Sequence, residues 1–374
     1  MISAAKPEVG DEERAAVDRV MRSGMLAQGP EVAAFESEFS AFVNNFHSVA
    51  LNSGTSALHM SLLAVGIGPG DEVIVPSFSF AATANAVGLT GATPVFVDIE
   101  LDYFATDPAA IEAAITPRTK AIMPVHLYGH PANMPVIAAI AKKHGLLLLE
   151  DAAQAHAAAI EGVPVGAWGV AGSFSFYPTK NMTAGEGGMV TTPSEDIARS
   201  IRVLRNQGME KRYENEVIGF NTRMTDIHAA IGRVQLTKLA GWTAKRQANA
   251  AFLTEHIAGV VTPPTAPNAE HVFHQYTVRV VDQDRDAFAA ELAARGVGSG
   301  VYYPTPIHRL PSFVNRLGHK RAFWGRDRLQ RGLDLPQTEL AAQQVLSLPI
   351  YPSLTEDELT TIVEAVNTVA KAGS

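Results

Sequence analysis

The chain has no cysteine and carries few charges for its size. Zero cysteines among 374 residues exclude disulfides, thiol nucleophiles and thiolate metal sites, so the fold must rest on packing. A formal net charge of −8, with no long basic run, argues against a nucleic-acid surface. Hydrophobic residues make up 47% and charged residues 18%, which is the balance of an ordinary soluble globular protein.

Long hydrophobic runs are also missing. Pro, Gly or polar residues interrupt each apolar stretch well before it reaches the length that spans a bilayer. Residues 1–13 turn acidic at once and contain no apolar signal core, so we expect a cytoplasmic protein. A chain of this length can bury a sizeable core and favours two or three domains, or one large domain with an appendage.

What the chain does have is an alternation of short apolar runs with Ala-rich segments of helical length. The apolar runs are 71–76, 92–98, 121–125 and 146–150, and the helical segments between them include 107–115 and 135–144. Strands that are apolar throughout and alternate with helices indicate a parallel sheet covered on both faces. We predict an α/β fold whose large domain holds a mainly parallel sheet, mixed at one edge and preceded by a helical pattern over 11–45.

The pattern changes beyond about residue 245. It predicts a strand at 274–281, a helix at 286–295, a strand or extended loop at 300–304, and a last helix that begins with a capping box at Thr355 and Glu358. This remainder predicts a small α+β domain. We therefore predict an N-terminal segment plus large domain over 1–245 and a small C-terminal domain over 246–374.

Lys180 stands between an apolar, aromatic-rich run that is typical of a buried strand and the Gly-rich segment 185–188. Desolvation lowers the pKa of a lysine and makes its amine nucleophilic. One use of such an amine is a Schiff base to a carbonyl cofactor such as pyridoxal phosphate. The ordinary alternative is a lysine at a strand end with its ammonium group in water, and Lys180 alone does not decide between the two.

Two other segments add to the hypothesis of a cofactor site. Residues 53–56 place Gly and hydroxyls at a predicted helix N-terminus, where they form either an anion site or an ordinary cap. Glu150 and Asp151 follow the most hydrophobic strand, and a carboxylate at such a strand end lies in the ligand crevice of an open sheet. There an Asp would keep a pyridine nitrogen protonated, whereas the alternative is a cap on the next helix.

Several neighbouring features are assigned no site. His126 and His130 have the spacing of a helical metal pair, but Gly129 and Pro131 disfavour a helix, so we predict no metal site. Residues 185–188 lack the spacing of a dinucleotide fingerprint or a P-loop. Aromatics just after a strand, here 78 and 80, are more typical of a core than of a stacking platform. A packing role and a site role both stay open for His156.

Taken in order, these features match the layout of a fold-type I pyridoxal phosphate enzyme, and the chain resembles the DegT/DnrJ/EryC1/StrS family of sugar aminotransferases. The resemblance rests on eight blocks in the family's order: 24–30, 53–57, 76–83, 91–98, 150–156, 173–188, 219–226 and 346–352. Because the blocks run along nearly the whole chain, the resemblance is highly specific. It implies the aspartate aminotransferase-like fold, with a large domain and a smaller C-terminal one.

The resemblance implies a set of roles for individual residues. Lys180 and Asp151 are the catalytic residues, with Lys180 bound to the cofactor as a Schiff base and then transferring protons, and Asp151 paired with the pyridinium nitrogen. The other implied cofactor contacts are Gly54, Thr55 and Ser175 at the phosphate, Gln154 near the ring hydroxyl, Phe80 stacked on the ring, and Asn221 at the phosphate of the neighbouring subunit. Asn221 thus implies a homodimer with shared active sites.

The substrate side of the resemblance is less specific. Arg223 and His308 are the substrate-site candidates. Gln207 stands where many family members have His, and His130 stands where other polar residues are usual. These departures leave the identity of the sugar open.

The implied activity is transfer of an amino group, by family analogy from L-glutamate, to a nucleotide-linked keto sugar. One alternative is an aminotransferase that acts on a cyclitol or an aminobenzoate precursor, which would share all the cofactor residues. A second is a pyridoxal phosphate-dependent sugar dehydratase, which usually has His where Lys180 stands. A third is a regulatory protein, which would need no intact catalytic set.

Overall fold

The computed structural model of the chain describes residues 1–314 and 333–372. The helices of these residues are α1 Asp11–Ser23, α2 Pro30–Phe42, α3 Gly54–Ala64, α4 Ala82–Leu89, α5 Pro108–Ala114, α6 Met134–His144, α7 Glu195–Arg205, α8 Asp226–His256, α9 Arg285–Ala294, α10 Pro311–Val314, α11 Pro336–Gln344 and α12 Glu356–Ala372. Short 3₁₀ turns occur at Leu127–Gly129 and Ile307–Arg309.

A seven-stranded sheet forms the centre of the part of the chain that the structure describes. Its strands are β1 His47–Leu51, β2 Glu72–Pro76, β3 Thr93–Val97, β4 Thr119–Ile122, β5 Leu147–Asp151, β6 Ala171–Ser175 and β7 Gly188–Thr192. Their order is β1-β7-β6-β5-β4-β2-β3. Strands β2 to β6 pair in parallel, and β7 is antiparallel to both β6 and β1. The predicted α/β fold with a sheet mixed at one edge is confirmed.

Both faces of the sheet are covered by helices, as the unbroken apolar strands predict. In β2, Val73 and Val75 point into a core formed with α3, α4 and α7, whereas Ile74 packs on the opposite face against α5 and α6. At the end of the sheet that holds β1, β7 and β6, helices α2 and α8 cover the face opposite to α3, α4 and α7. Phe174 of β6 is buried there. The helices that cover both faces leave the ends of the strands uncovered.

The helical pattern predicted over 11–45 is two helices. Helix α1 ends at Gly24, which adopts the left-handed conformation with φ 71°, and α2 begins with Pro30 as its first residue. Glycine tolerates that conformation without the steric cost that other residues meet, and proline is favoured in the first turn of a helix. The break therefore follows from local chemistry that the periodicity alone did not resolve.

The C-terminal part contains a two-stranded antiparallel ladder of β8 Tyr276–Arg279 and β9 Val345–Leu348, packed with α9 and α12 in a core of its own. The capping box at α12 forms, because the Thr355 amide donates to Glu358 Oε2 at 2.9 Å and the Glu358 amide donates to Thr355 Oγ1 at 3.2 Å. Residues 301–304 are a loop.

Helix α8 joins the two cores. Its Leu239 packs under the large sheet, whereas its Leu253 packs with β8 and α12. The predicted boundary at residue 245 lies inside this continuous helix, and the division into two domains stays a prediction. Within residues 1–314 and 333–372, no helix is long and apolar enough to cross a membrane.

Candidate active site

The predicted cofactor residues converge at one edge of the sheet, where the carboxyl ends of β1, β2, β4, β5 and β6 meet. Asp151 ends β5, Ser175 ends β6, and Gly54 opens the helix that follows β1. Ligands of open α/β sheets bind in the crevice outside these strand ends. The sheet therefore brings together residues that are more than a hundred positions apart.

A cavity of about 850 Å³ opens at this edge, and we call it the main cavity. Its lining includes Ser53, Gly54, Thr55, Ser79, Phe80, Asp151, Gln154, Ser175, Lys180, Tyr302 and Tyr303. Every residue predicted to bind the cofactor lines it except Asn221. Its volume is in the range of small-molecule and cofactor sites.

Lys180 lies in the loop after β6, in a turn closed by a hydrogen bond of 3.0 Å from its own amide to the carbonyl of Tyr177. Burial lowers the pKa of its amine to about 8, and the nearby carboxylate of Asp151 acts in the opposite direction. Burial dominates because desolvation disfavours the charged ammonium form. Near neutral pH a larger fraction of Lys180 is therefore an uncharged, nucleophilic amine than of a lysine with an ordinary pKa.

Asp151 is buried at the end of β5 and is held in place by two hydrogen bonds. Thr83 Oγ1 donates to its Oδ2 at 2.8 Å, and the amide of Ala153 donates to its Oδ1 at 3.2 Å. Burial raises the pKa of the Asp151 carboxyl, and Thr83, Ala153 and Lys180 each lower it. Ser79 Oγ lies 2.9 Å from Thr83 Oγ1 and continues this chain of hydroxyls. Neither Thr83 nor Ser79 stands out in the sequence, because their role depends on a contact with a distant strand.

Glu150, the neighbour of Asp151, serves the fold instead. Its carboxylate accepts hydrogen bonds from the amides of Gly166, Trp168 and Gly169 at 2.7 to 3.0 Å, and it contacts His126 Nε2 at 3.1 Å. Successive residues of a strand point to opposite faces, so only one of the two carboxylates reaches the cavity. Neither Glu150 nor Asp151 caps a helix.

The N-terminus of α3 offers a site for an anion. Ser53 caps the helix by accepting a hydrogen bond of 3.1 Å from the amide of Ser56, which leaves the amides of Gly54 and Thr55 at the helix start without an intrahelical acceptor. A Cβ on Gly54 would lie 2.6 Å from the Cβ of Ser175. This close approach brings the Ser175 hydroxyl to the same helix end, where the positive end of the helix dipole favours negative charge.

The Gly-rich segment after Lys180 is explained by the same packing. Gly188 begins β7, between Leu51 of β1 and Ser175 of β6. A Cβ on Gly188 would overlap the carbonyl oxygen of Ser53. Glycine at this position therefore lets the backbone of β7 pass directly under the N-terminus of α3.

The aromatic residues near the strand end of β2 divide between core and cavity. Phe78 is fully buried, whereas Phe80 is 61% exposed and faces the main cavity. The pattern predicted core packing for both, and for Phe80 this was wrong. A large aromatic side chain left open at a cavity wall can cover a flat ring.

Gln154 and Tyr303 form a second ordered group in the main cavity. Gln154 Nε2 donates to Tyr303 Oη at 2.6 Å, and Gln154 Oε1 accepts from the amide of Tyr128 at 2.7 Å. Tyr128 and Tyr303 have positive φ angles of 57° and 60°, and their rings stack with an interplanar angle of 14°. Strained backbone of this kind clusters at functional sites. Tyr303 was not predicted from the sequence, because its contact with Gln154 joins residues that are 149 positions apart in the chain.

The remaining predicted residues lie outside the main cavity of their own chain. Asn221 is exposed, and Arg223 Nη1 donates to Asn206 Oδ1 at 2.8 Å. His308 Nδ1 lies 2.6 Å from Ser77 Oγ, and its Nε2 lies 3.0 Å from Glu339 Oε1. Burial lowers the pKa of His308, while Glu339 raises it. His308 is thus hydrogen-bonded to Ser77, two residues before the cavity-lining Ser79, and does not itself line the main cavity.

Other histidines of the motif region are part of the packing. His156 is buried against Phe174 and Phe176, and burial, followed by the charge of Lys180, lowers its pKa to about 3. His130 stacks on Tyr103, and its Nε2 accepts a hydrogen bond of 3.0 Å from the amide of Ala266. The described part of the chain contains no group of three or more His, Asp or Glu arranged to hold a metal.

Comparison with known proteins places the chain in a large group of related sequences. The profile of the DegT/DnrJ/EryC1/StrS aminotransferase family matches residues 7–367. The chain is 43% identical to the "Pleiotropic regulatory protein" of Geobacillus stearothermophilus, over 96% of this chain and 94% of that protein. It is 42% identical to the dTDP-3-amino-3,4,6-trideoxy-alpha-D-glucose transaminase of Streptomyces venezuelae, over 98% and 94% of the two chains.

A third relative, the UDP-N-acetyl-3-dehydro-alpha-D-glucosamine 3-aminotransferase of Acidithiobacillus ferrooxidans, is 42% identical over 95% of this chain and 93% of its own. Among solved structures, S. venezuelae DesV in complex with a ketimine intermediate superposes with a TM-score of 0.89 at 42% identity, over 96% and 94% of the chains. The PLP-form of a putative sugar aminotransferase from Streptococcus pneumoniae superposes with a TM-score of 0.91 at 27% identity, over 100% and 99% of the chains. The predicted family and fold are confirmed.

Proposed function

The chain belongs to the DegT/DnrJ/EryC1/StrS aminotransferase family, and on that premise we propose that it transfers an amino group from L-glutamate to a nucleotide-linked keto sugar with pyridoxal phosphate as its cofactor. Aminotransferases of this family depend on pyridoxal phosphate. One observation carries the proposal. A lysine of low pKa, a buried carboxylate and an anion cradle line the same cavity.

The residues of the main cavity fit the parts of this cofactor. Its phosphate matches the start of α3, where the amides of Gly54 and Thr55 lack intrahelical acceptors and where any side chain larger than Gly at position 54 would collide with Ser175. Its aldehyde matches the low-pKa amine of Lys180, and its ring nitrogen matches the fixed carboxylate of Asp151. We assign Phe80 to the ring face and Gln154 to the ring hydroxyl.

When bound, pyridoxal phosphate supplies an aldehyde that captures amino groups and a ring that accepts the electrons released when a C–H bond breaks. The protein supplies the proton transfers. Lys180 Nζ would hold the cofactor and, once released, would take the proton from the α-carbon of the amino donor and act as the acid that gives a proton back. Asp151, whose charged form is stabilised by the hydrogen bonds from Thr83 and Ala153, would hold a proton on the ring nitrogen. The same groups act in reverse order on the keto sugar.

We also propose that the active sites are shared within a homodimer. Asn221 is exposed and stands next to a segment with exposed apolar side chains, among which Tyr213 is 79% and Ile218 93% exposed. A second copy of the chain would bury these side chains and place Asn221 at the partner subunit's α3, where the phosphate is proposed to bind. Arg223 would approach the same region.

The alternatives weighed from the sequence differ in what they need at Lys180. A dehydratase of this family usually has His there, and the chain has Lys. A regulatory role, which the name of one relative carries, needs no low-pKa amine beside a buried carboxylate. A cyclitol or aminobenzoate-precursor aminotransferase would use the same cofactor residues, so the acceptor must be identified by assay.

The proposal is tested with purified protein loaded with pyridoxal phosphate. We expect the absorbance band of lysine-bound cofactor, its loss on addition of L-glutamate, and its return with one member of a panel of dTDP-, UDP- and GDP-linked keto sugars and a cyclitol ketone. Lys180→Ala should abolish the band and the turnover, whereas Lys120→Ala, which changes an exposed lysine of β4, should leave both unchanged. Protein that takes up no cofactor, or full turnover by Lys180→Ala, would rule out the proposal.

A further inference from the structure

A second, much smaller cavity adjoins the main one at Lys180. We call it the rear cavity. It has a volume of about 30 Å³ and is bounded by residues 4–8 of the N-terminal segment and by Lys180, Asn181, Arg246 and His274, among others. Lys180, together with Thr179 and Tyr302, lines both cavities. The residue proposed to transfer protons therefore borders both cavities.

The rear cavity gathers buried polar atoms that lack a partner. Glu8 Oε1, Asn181 Oδ1, Arg246 Nε and His274 Nδ1 are all buried without a hydrogen bond in the described part of the chain. The residues Asn181, Arg246 and His274 are each more than nine-tenths buried. Buried polar atoms in native proteins are nearly always hydrogen-bonded, so four such atoms around one cavity indicate a ligand inside it.

The chemistry of these atoms identifies water as the ligand. Arg246 Nε donates, Glu8 Oε1 and Asn181 Oδ1 accept, and an uncharged His274 offers either role. A cation would meet the guanidinium of Arg246 and the lining lysines Lys6 and Lys180, and an anion would meet the carboxylate of Glu8, whereas water can pair with groups of either charge. A volume of about 30 Å³ admits roughly two waters at 10 to 15 Å³ each, and each would find several polar partners.

The position of Glu8 is well defined by the surrounding structure. Gln235 Nε2 donates a hydrogen bond of 2.8 Å to the Glu8 carbonyl, and the same amide group donates to Glu13 Oε1 at 2.8 Å. Earlier in the segment, Ile2 pairs with Val297. Glu8 as a residue is only half-buried, although its Oε1 is buried.

We propose that the rear cavity holds an internal water cluster that connects Lys180 Nζ with the carboxylate of Glu8 and exchanges the protons of Lys180 with solvent. This inference rests on the proposed function of Lys180 as the proton carrier. In the step, the Lys180 ammonium gives one proton to a water, the water cluster passes one proton to Glu8, and Glu8 releases it to bulk water. No other bond changes.

Two other polar groups of the rear cavity, His274 and Arg246, are unsuited to carry the proton. Burial holds the pKa of His274 well below its ordinary value, and the charge of Lys180 lowers it further, so its imidazole stays neutral. The Arg246 guanidinium has its pKa lowered to about 10 by burial, with Glu8 opposing the shift, and it still keeps its proton at neutral pH. Among the described residues that line the rear cavity, Glu8 is the one carboxylate.

The water cluster itself is tested by a high-resolution crystal structure of the cofactor-free protein. We expect ordered waters within hydrogen-bond distance of Glu8 Oε1, Arg246 Nε and Asn181 Oδ1. An empty cavity, or a bound chloride or other ion in place of water, overturns the proposal. This measurement needs neither cofactor nor substrate, so its result does not depend on whether the proposed activity is correct.

The proton route is tested with L-glutamate deuterated at its α-carbon. In the wild-type holoenzyme, exchange through the water cluster should wash out most of the deuterium before it reaches the aminated cofactor. Glu8→Gln keeps the shape and removes the proton acceptor, so the deuterium retained in the aminated cofactor should rise several-fold. Glu12→Gln makes the same charge change outside the cavity, where Glu12 pairs with Lys238, and should behave as wild type.

Equal retention in Glu8→Gln and wild type overturns the proton route. If no deamination of L-glutamate occurs in the wild type, the proposed amino donor fails. The rear cavity is then judged by its ordered waters alone, so the two failures are distinguishable.

Discussion

The hydroxyl of Thr83 donates a hydrogen bond of 2.8 Å to Oδ2 of Asp151, across a separation of 68 positions in the chain. Both side chains are buried. A hydrogen bond to a buried carboxylate stabilises its charged form and fixes the plane in which its oxygens lie. Thr83 therefore positions Asp151, the group that we assign to the cofactor ring nitrogen. Thr83 itself does not line the main cavity.

Replacing Thr83 with Val removes this hydrogen bond at nearly constant volume. A hydrogen bond to a charged group contributes about 1.5–3 kcal/mol, so we expect kcat to fall roughly 10- to 100-fold through a carboxylate that is less ionised and less well oriented. Thr83→Ser keeps the hydroxyl and should retain most of the activity. The measurement is kcat, together with the pH dependence of the absorbance of the bound cofactor. Equal loss in both variants would assign Thr83 to packing alone.

The adjacent carboxylates Glu150 and Asp151 should respond in opposite ways to amide substitution. Glu150→Gln weakens three backbone hydrogen bonds to the loop at 166–169, and we expect it to lower the free energy of unfolding by about 1–3 kcal/mol while kcat of the folded enzyme changes little. Asp151→Asn should leave stability unchanged or raised, because it removes a buried charge, and should lower kcat by orders of magnitude. Urea unfolding and steady-state kinetics on both variants separate the roles. A loss of stability in Asp151→Asn would contradict the assignment.

Gly54→Ala should damage the anion cradle by direct collision. The new Cβ would lie 2.6 Å from the Cβ and 3.0 Å from the Oγ of Ser175, which must then move away from the helix N-terminus. We expect the Kd for pyridoxal phosphate to rise by about tenfold or more, because losing one hydrogen bond to a charged group already has that effect. Gly241→Ala is the matched control, since it lies in α8 with nothing within 4 Å of the added Cβ. Unchanged affinity in Gly54→Ala would place the phosphate elsewhere.

The lowered pKa of Lys180 predicts a pH dependence of stability in the cofactor-free protein. The pKa is about 8 in the folded state against an ordinary value of 10.5, so between these pH values the unfolded chain binds more protons at this residue than the folded chain does. The free energy of unfolding of the wild type should therefore rise with pH across this window relative to Lys180→Met, which lacks the amine. Below pH 8 the variant should be the more stable protein.

Urea unfolding at a series of pH values measures the difference between wild type and Lys180→Met. The gap should narrow from about pH 8 to about pH 10.5. Lys120→Met, which replaces an exposed lysine, should show no such trend. Parallel curves for wild type and Lys180→Met would mean that Lys180 has an ordinary pKa in the folded protein.

The proposed sharing of active sites can be read from a mixture of two inactive variants. Lys180→Ala and Asn221→Ala each disable both sites of their own homodimer. In a mixed dimer one site contains both changes and the other contains neither, so an equal mixture that pairs at random should recover about a quarter of wild-type activity and the isolated mixed dimer about half. The variants are co-expressed with different tags and the mixed dimer is isolated. Recovery of no activity in a verified mixed dimer would mean that Asn221 serves its own subunit or none.

Much of the fold followed from local patterns. Fully apolar strands that alternate with helices predicted the parallel sheet, and the capping box before α12 predicted where that helix begins. These signals work because strand burial and helix capping depend on residues that are near in sequence. The split of the pattern over 11–45 at Gly24 depended on one glycine with a positive φ angle, which periodicity does not register.

The site could be predicted only in part. The lysine, the strand-end carboxylate and the helix-start glycine are chemically unusual, and they matched the family's blocks in order. Tyr303 carried no such signal, because its partner Gln154 is 149 positions away in the chain. For the aromatic pair after β2, composition favoured the core, whereas the family resemblance implied a ring contact for Phe80, and the fold leaves Phe80 exposed at the cavity.

By itself, the sequence determined the class of fold, the family and the residue types that carry the chemistry, because each of these depends on local pattern or on matched motifs. The tertiary structure alone decided what the Glu150 carboxylate binds, which hydroxyl supports Asp151, and which polar groups line the rear cavity beside Lys180. These are outcomes of packing between distant segments, where a strand's pleat sends neighbouring side chains to opposite faces and a buried polar atom requires a partner wherever the chain can bring one.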